Sequence, residues 1–157
     1  MLADDIYRPK LQQTIAALEE WAKQIAPVAR VERSDSEANW RMRVVPTAAN
    51  ACPCELILWR DQRFDIAIGE ESYEDLAVPD LAIFLPLLQA VAAGNVITRR
   101  WISSATGLEH KVETIVRLPD GTSWRAERTN PLAPQIDEIA LECQDRHYVP
   151  YFRRSTG

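Results

Sequence analysis

Three cysteines and two histidines are the residues of this chain most readily put to chemical use. Cys52 and Cys54 stand one residue apart at the mouth of an apolar run, and Cys143 precedes His147 by one helical turn's worth of sequence. Three thiolates and an imidazole make a ligand set for tetrahedral zinc. On a helix, Cys143 and His147 would share one face. Against that, C-x-C is tighter than the C-x₂₋₄-C of zinc knuckles, and the second half offers only two donors. The competing reading, which we prefer, is structural. Cys54 alternates with Leu56 and Leu58 on one strand face, where a free thiol packs as a small hydrophobe, and Cys52 lies in the loop before it. No cofactor is then expected; zinc, or thiol redox chemistry at the same residues, is the alternative. A Cys52–Cys54 disulfide would be strained by its very short loop. An odd cysteine count excludes a complete disulfide framework, which suits a reducing, cytoplasmic setting.

Other groups could act on ligands. Glu70, Glu71, Glu74, Asp75 and Asp80 form an acidic run able to hold a divalent cation or to supply an acid/base pair. It lacks the Asp/Asn alternation and glycine of a calcium loop, and acidic residues beside helix starts also follow from the helix dipole. Arg41 and Arg43, with Arg99 and Arg100 beside Trp101, could line a basic sheet face for an anion or a single strand. The plainer alternative pairs these arginines across strands with Glu109, Glu113 and Glu127. His110, on the same strand parity as Val112 and Thr114, reads as a partly buried structural residue rather than a general base. The segment from His147 through Tyr148, Tyr151 and Phe152 to Arg153 and Arg154 is aromatic and basic. It either docks back on the domain or engages a partner through aromatic and arginine anchors. The five glycines form no phosphate loop or nucleophile elbow, and H-E-x-x-H is absent.

These residues need elements to position them. Residues 9–25 repeat apolar side chains at spacings of three and four (Leu11, Ile15, Leu18, Ala22, Ile25), which predicts an amphipathic helix with Pro9 in its first turn and Glu19 paired with Lys23. Four strand-like runs follow. Residues 28–33 alternate weakly. Trp40, Met42 and Val44 alternate with Arg41 and Arg43. Residues 54–60 are apolar on both faces, as in a central strand. Phe64, Ile66 and Ile68 continue as a hairpin partner across Asp61, Gln62 and Arg63. Ser72 and Asp75 then resemble a helix capping box. Asp80 caps a second helix over residues 81–93, apolar nearly all round, with Pro86 inside to kink or split it and Gly94 to stop it.

A second strand set covers residues 96–102, 108–118 and 122–127. The turn Pro119-Asp120-Gly121 suits a three-residue hairpin loop that pairs Leu118 with Thr122, Val116 with Trp124 and Thr114 with Ala126 on one mostly apolar face. Arg117, Ile115 and Glu113 then share the other face with Ser123, Arg125 and Glu127. Residues 129–157 are loop-rich, and 136–143 fit a helix or a strand equally well.

The chain has 157 residues, 46% hydrophobic and 26% charged, enough for one domain spanning residues 1–157 with a core of its own. Its net charge of −5 disfavours general nucleic-acid binding. Residues 81–93 are too short to span a bilayer. The residues after Met1 carry no basic leader pattern, which again fits the cytoplasm. The expected fold is α+β: a mostly antiparallel, bent sheet of about seven strands, or two sheets, wrapping the apolar second helix, with the N-terminal amphipathic helix covering one side. The order helix, strands, helix, strands, tail resembles that of small type III secretion chaperones, which are also acidic and often dimeric; the resemblance lies in element order and carries no residue over. The expected function is a non-enzymatic, chaperone-like binding or interaction domain, with a protein partner or a second copy of itself. The alternatives are a metal or thiol protein using Cys52, Cys54, Cys143 and His147, and a small enzyme or anion-binding domain. The interaction candidates are Arg41, Arg43, Trp101, Tyr148, Tyr151 and Phe152.

Overall fold

The computed structural model describes residues 1–133 and 140–152. They form an α+β fold of two helices and two antiparallel sheets. Helix α1 runs Asp4–Ile25 and buries Tyr7, Leu11, Ile15, Leu18, Trp21, Ala22 and Ile25 on one stripe. It begins at Asp4, not at Pro9. Tertiary contacts fasten the earlier turn: the Tyr7 hydroxyl donates to the Trp59 carbonyl at 3.3 Å, and the Gln62 side chain bonds both backbone groups of Leu2. Pro9 is therefore internal, where it removes one helical bond. Glu19 and Lys23 do not pair with each other: Lys23 meets Glu20, and Glu19 accepts from the Trp40 indole.

Strands β1 (Ala29–Asp35), β2 (Asn39–Pro46), β3 (Cys54–Trp59), β4 (Arg63–Ile68) and β5 (Glu71–Ala77) form a five-stranded sheet in sequence order. β3 is central, as its two apolar faces require. The β3–β4 hairpin pairs Leu58 with Phe64 and Cys54 with Ile68, and Gln62 takes the left-handed backbone that so short a link needs, with φ 67. The capping box at Ser72 and Asp75 is not formed, because those residues lie in β5. Tyr73 points inward there, and its hydroxyl shares a hydrogen bond with Thr114 Oγ1 at 2.8 Å. Glu71 also points inward and is only 3% exposed, so the strand has no alternating hydropathy to betray it.

Asp80 does cap the next segment, accepting from the Ala82 amide at 3.0 Å. The apolar run divides into a 3₁₀ turn, Leu81–Ile83, and helix α2, Phe84–Ala92. Pro86 thus falls in the first turn of α2, where its missing N–H has no intrahelical partner to lose. The split, rather than a kink, relieves the proline. Gly94 ends the segment with φ +81.

Strands β6 (Val96–Ser103), β7 (Glu109–Arg117), β8 (Ser123–Thr129) and β9 (Leu141–His147) make the second sheet, in the order β8-β7-β6-β9. The β7–β8 register is the expected one, with Val116 opposite Trp124 and Thr114 opposite Ala126. The Leu118 amide donates to the Thr122 carbonyl at 2.8 Å. The tail is a strand from Leu141 onward; the helical alternative's Ile136 and Ile139 lie outside the described residues. β5 and β9 raise the strand count above the seven expected from sequence.

One continuous apolar cluster joins α1, α2 and the inner face of each sheet. Phe64 of β4 meets Phe84 of α2 edge to face at 4.9 Å. The sheets are seamed where β5 faces the second sheet: Glu71 pairs with Arg128, and Glu70 with Arg100 and Arg146. No helix among the described residues is long and apolar enough to cross a membrane.

Candidate functional site

The three cysteines take two different environments. Cys54 starts β3 facing the core, as its alternation with Leu56 and Leu58 demands, and Cys52 is fully buried although it precedes the strand. The reason for the second is the chain's own end. After β9 the backbone crosses back over residues 50–52. The Val149 amide donates to the Asn50 carbonyl at 3.0 Å, and Ala51 and Val149 form a parallel bridge. The Tyr151 amide donates to the Ala92 carbonyl at 2.8 Å, and its hydroxyl donates to the Cys52 carbonyl at 2.5 Å. Tyr148 shares a hydrogen bond with Thr98 Oγ1 at 3.1 Å. This strap over residues 148–151 closes the core above both thiols.

Burial sets their chemistry. It pushes the Cys52 thiol up to about 12, helped by the neighbouring Cys54 sulfur, and the Cys54 thiol up to about 12 despite the Tyr151 hydroxyl beside it. The thiolate is the nucleophile and the metal ligand, so neither sulfur is activated near neutral pH. Cys143 is exposed on β9, opposite Trp101, and its thiol is raised by desolvation and by Asp145. Cys143 is thus solvent-facing on an edge strand while Cys52 and Cys54 are sealed, and among the described residues no three His, Cys, Asp or Glu side chains gather into a group that could hold a metal. The four-ligand zinc set is not brought together; because 141–147 is a strand, Cys143 and His147 are not one helical turn apart. A thiol reagent at neutral pH should label Cys143 first and Cys52 and Cys54 only as the fold opens. Equal labelling rates at all three, read by peptide mass spectrometry, would contradict this placement.

The charged candidates are also separated. Arg41 and Arg43 lie on β2 of the first sheet, Arg99, Arg100 and Trp101 on β6 of the second, so no common basic face forms. Arg41 bonds Glu55 at 2.8 Å, Arg100 bonds Glu70 at 3.1 Å, and Trp101 carries Lys111 over its ring at 4.7 Å. Four of the five acidic residues are likewise engaged: Glu70 and Glu71 seam the sheets, Asp75 pairs with Arg63 at 2.6 Å, and Asp80 caps the 3₁₀ turn. His110 is half-buried, and its Nε2 has no hydrogen-bond partner among the described residues.

Arg41 and Arg43 line only a small cleft beside Glu32 on the first sheet. Two other open features each combine one or two of the sequence candidates with residues not singled out from sequence. The first is a groove of ≈ 660 Å³ at the C-terminal ends of α1 and α2, lined by Trp21, Ile25, Ala92, Ala93, Pro150 and Phe152. Gln24 and Gln89 are its polar members, and among the described residues it has no charged one. Tyr148 and Tyr151 of the aromatic tail turn inward, whereas Phe152 is 51% exposed on the rim of this groove. The second is a pocket of ≈ 280 Å³ on the outer face of the second sheet, bordered by Arg99, Arg117, Arg125 and His147. The sequence signal for it was partial: the 118–122 turn put Arg117 and Arg125 on one face, but nothing placed β9, which brings His147.

Compared with protein-family models, with curated proteins and with solved structures, the chain matches none.

Proposed function

We propose that this chain is a non-enzymatic interaction domain that self-associates through the groove at the ends of α1 and α2. The observation that carries the reading is that one patch holds both halves of a contact: a groove with no charged side chain among the described residues and, on its rim, a protruding Phe152. A two-fold axis through such a patch is self-complementary, because each copy's phenylalanine enters the other's groove. Burying one phenylalanine side chain stabilises by about 1.5–3 kcal/mol, and a symmetric contact counts it twice. The strap supports the arrangement, since the Tyr151 amide and hydroxyl hold the residue next to Phe152 rigidly against α2 and Cys52.

Sedimentation velocity over a concentration series tests the reading. A dimer that grows with concentration is expected, and Phe152→Ser should weaken its dissociation constant by about 100-fold or more. A sedimentation coefficient that stays monomeric throughout, or a dimer indifferent to Phe152→Ser, would remove the groove from the interface.

A further inference from the structure

The outer face of the second sheet carries a site of different chemistry. Cross-strand pairing places Arg125, Ile115, Ile97 and His147 in one straight row across all four strands. Neighbouring strands stand ~4.8 Å apart, so the row spans about 14 Å. Its middle is apolar: Ile115 and Ile97 form a floor, with Ile115 only 8% exposed. Its two ends are a guanidinium and an imidazole. Arg99 stands two residues along β6, and Arg117 two residues along β7 in the opposite direction, so three guanidiniums and an imidazole surround the floor on four sides.

Two of the guanidiniums are held in place by carboxylates outside the pocket. Asp145 takes Arg99 Nε at 2.8 Å and Nη2 at 3.0 Å, leaving Nη1 uncommitted. Glu113, 9% exposed, takes Arg125 Nη1 at 2.9 Å, leaving Nε and Nη2. Arg117 makes no side-chain hydrogen bond or ion pair among the described residues. Asp145 and Glu113 therefore fix two cations and offset their charge, and no described carboxylate matches the charge of Arg117. Among the described residues no acidic side chain lines the cavity.

We propose that this pocket binds the phosphate monoester of a small organic molecule, with the phosphate among Arg117, Arg125 and Arg99 and the organic group over Ile97 and Ile115. A phosphomonoester carries about −1.5 to −2 charge and three acceptor oxygens, which matches donors converging from several directions better than a planar monoanionic carboxylate does. The cavity lies at the small end of ligand pockets, which run to roughly 300–1,000 Å³, so the organic group is no larger than a single ring or short chain. Free donors on pre-positioned guanidiniums lose little freedom on binding. His147 contributes one N–H donor in its neutral form. This site is independent of the groove at the helix ends, and its occupancy does not require self-association.

Amide chemical-shift titration of the full chain with three probes tests the proposal: phenyl phosphate, inorganic phosphate and phenol. Phenyl phosphate should saturate, with the largest shifts at residues 95–99, 115–117 and 123–125; inorganic phosphate should bind the same residues about 10-fold more weakly, and phenol should not bind. Arg117→Gln should weaken phenyl phosphate about 10-fold or more while leaving the thermal melt intact, since no carboxylate depends on it. Ile97→Ser should abolish the preference for phenyl phosphate over inorganic phosphate but keep the latter's binding. Arg8→Gln on α1, remote from the sheet, should change nothing. Shifts scattered over all basic surfaces, an equal loss in Arg8→Gln and Arg117→Gln, or no saturation by phenyl phosphate would each overturn the site.

Discussion

Gly94→Val is expected to cost about 3–5 kcal/mol of folding stability and to open Cys52 and Cys54 to reagents that do not reach them in the parent. Two separate terms add up. Gly94 has φ +81, a conformation that costs a residue with a side chain roughly 1–2 kcal/mol. A Cβ there would also meet backbone, at 2.9 Å from both the Pro150 nitrogen and the Tyr148 carbonyl oxygen. Backbone cannot swing aside as a flexible side chain does, so the strap must lift. Lifting breaks the Val149–Asn50 and Tyr151–Ala92 backbone bonds and withdraws Tyr151, 2% exposed, from the core. Gly121→Val separates the terms. Gly121 has φ +89, but nothing lies within 4 Å of its added Cβ. It should lose only the conformational part, roughly 1–2 kcal/mol, with no change in thiol labelling. Urea unfolding with labelling of native protein reads both quantities. A Gly94→Val no worse than Gly121→Val would mean that the strap contributes little.

The strap also links the two proposed surfaces to the core without merging them. Tyr148 follows His147 directly. His147 faces the outer pocket, while Tyr148 turns to Thr98 on the opposite side of the sheet, as strand alternation requires. Three residues later Tyr151 fills the space above Cys52, and Phe152 is released onto the groove. A perturbation of residues 148–151 should therefore be felt at both surfaces, whereas Arg117→Gln and Phe152→Ser should each be felt at one.

How far the chain could be read in advance depended on whether a residue's type stated its direction. The 118–122 hairpin was legible because the turn residues and the hydropathy of both arms select the same register. Cys54 was legible as a core residue through its phase with Leu56 and Leu58, and Asp80 and Gly94 through their places at the two ends of an apolar run. β5 was not, because an inward position is filled by Glu71, whose burial makes sense only once Arg128 arrives from β8. β9 was not, because six of its seven residues are exposed, so no period of two is written in Leu141–His147. The same gap hid the pocket: Arg117 and Arg125 could be put on one face, but Arg99 and His147 join them only through the β6–β9 pairing. In the tail, three aromatics of similar chemistry have opposite fates. The hydroxyls of Tyr148 and Tyr151 find buried partners at Thr98 and Cys52, while Phe152 has no hydroxyl to anchor it and stays on the surface, a distinction that depends on where Cys52 and Thr98 lie in space.

Stability should fall steeply on the alkaline side, and most of the two-thiol share of that fall should vanish in the Cys52→Ala, Cys54→Ala double variant. Both thiols are pushed up to about 12 from an ordinary value near 9, first by burial. Burial raises the hydroxyls of Tyr7, Tyr73 and Tyr151 in the same direction. For an acid whose folded pKa lies above its unfolded one, the folded state holds more protons between the two values, so stability is intact below the unfolded pKa and declines as pH rises toward the folded one. The thiol window is therefore about pH 9 to about 12. Within it, each buried thiol adds a slope of about −1.4 kcal/mol per pH unit, and two add roughly twice that until unfolding intervenes. The tyrosine contribution begins above the ordinary phenol value of 10.0; that of Tyr7 and Tyr73 is common to both proteins, whereas the Tyr151 hydroxyl, raised first by burial and then by Cys54 and Cys52, loses the cysteine part of its rise in the double variant. Urea unfolding of parent and double variant from neutral pH to pH 11 isolates the difference. The two free energies should run parallel below pH 8, offset by the packing lost with the sulfurs, and converge above pH 9. Curves that stay parallel throughout would show that the thiols beneath the strap ionise in the folded protein as readily as in the unfolded chain, and that the C-terminal segment does not seal them.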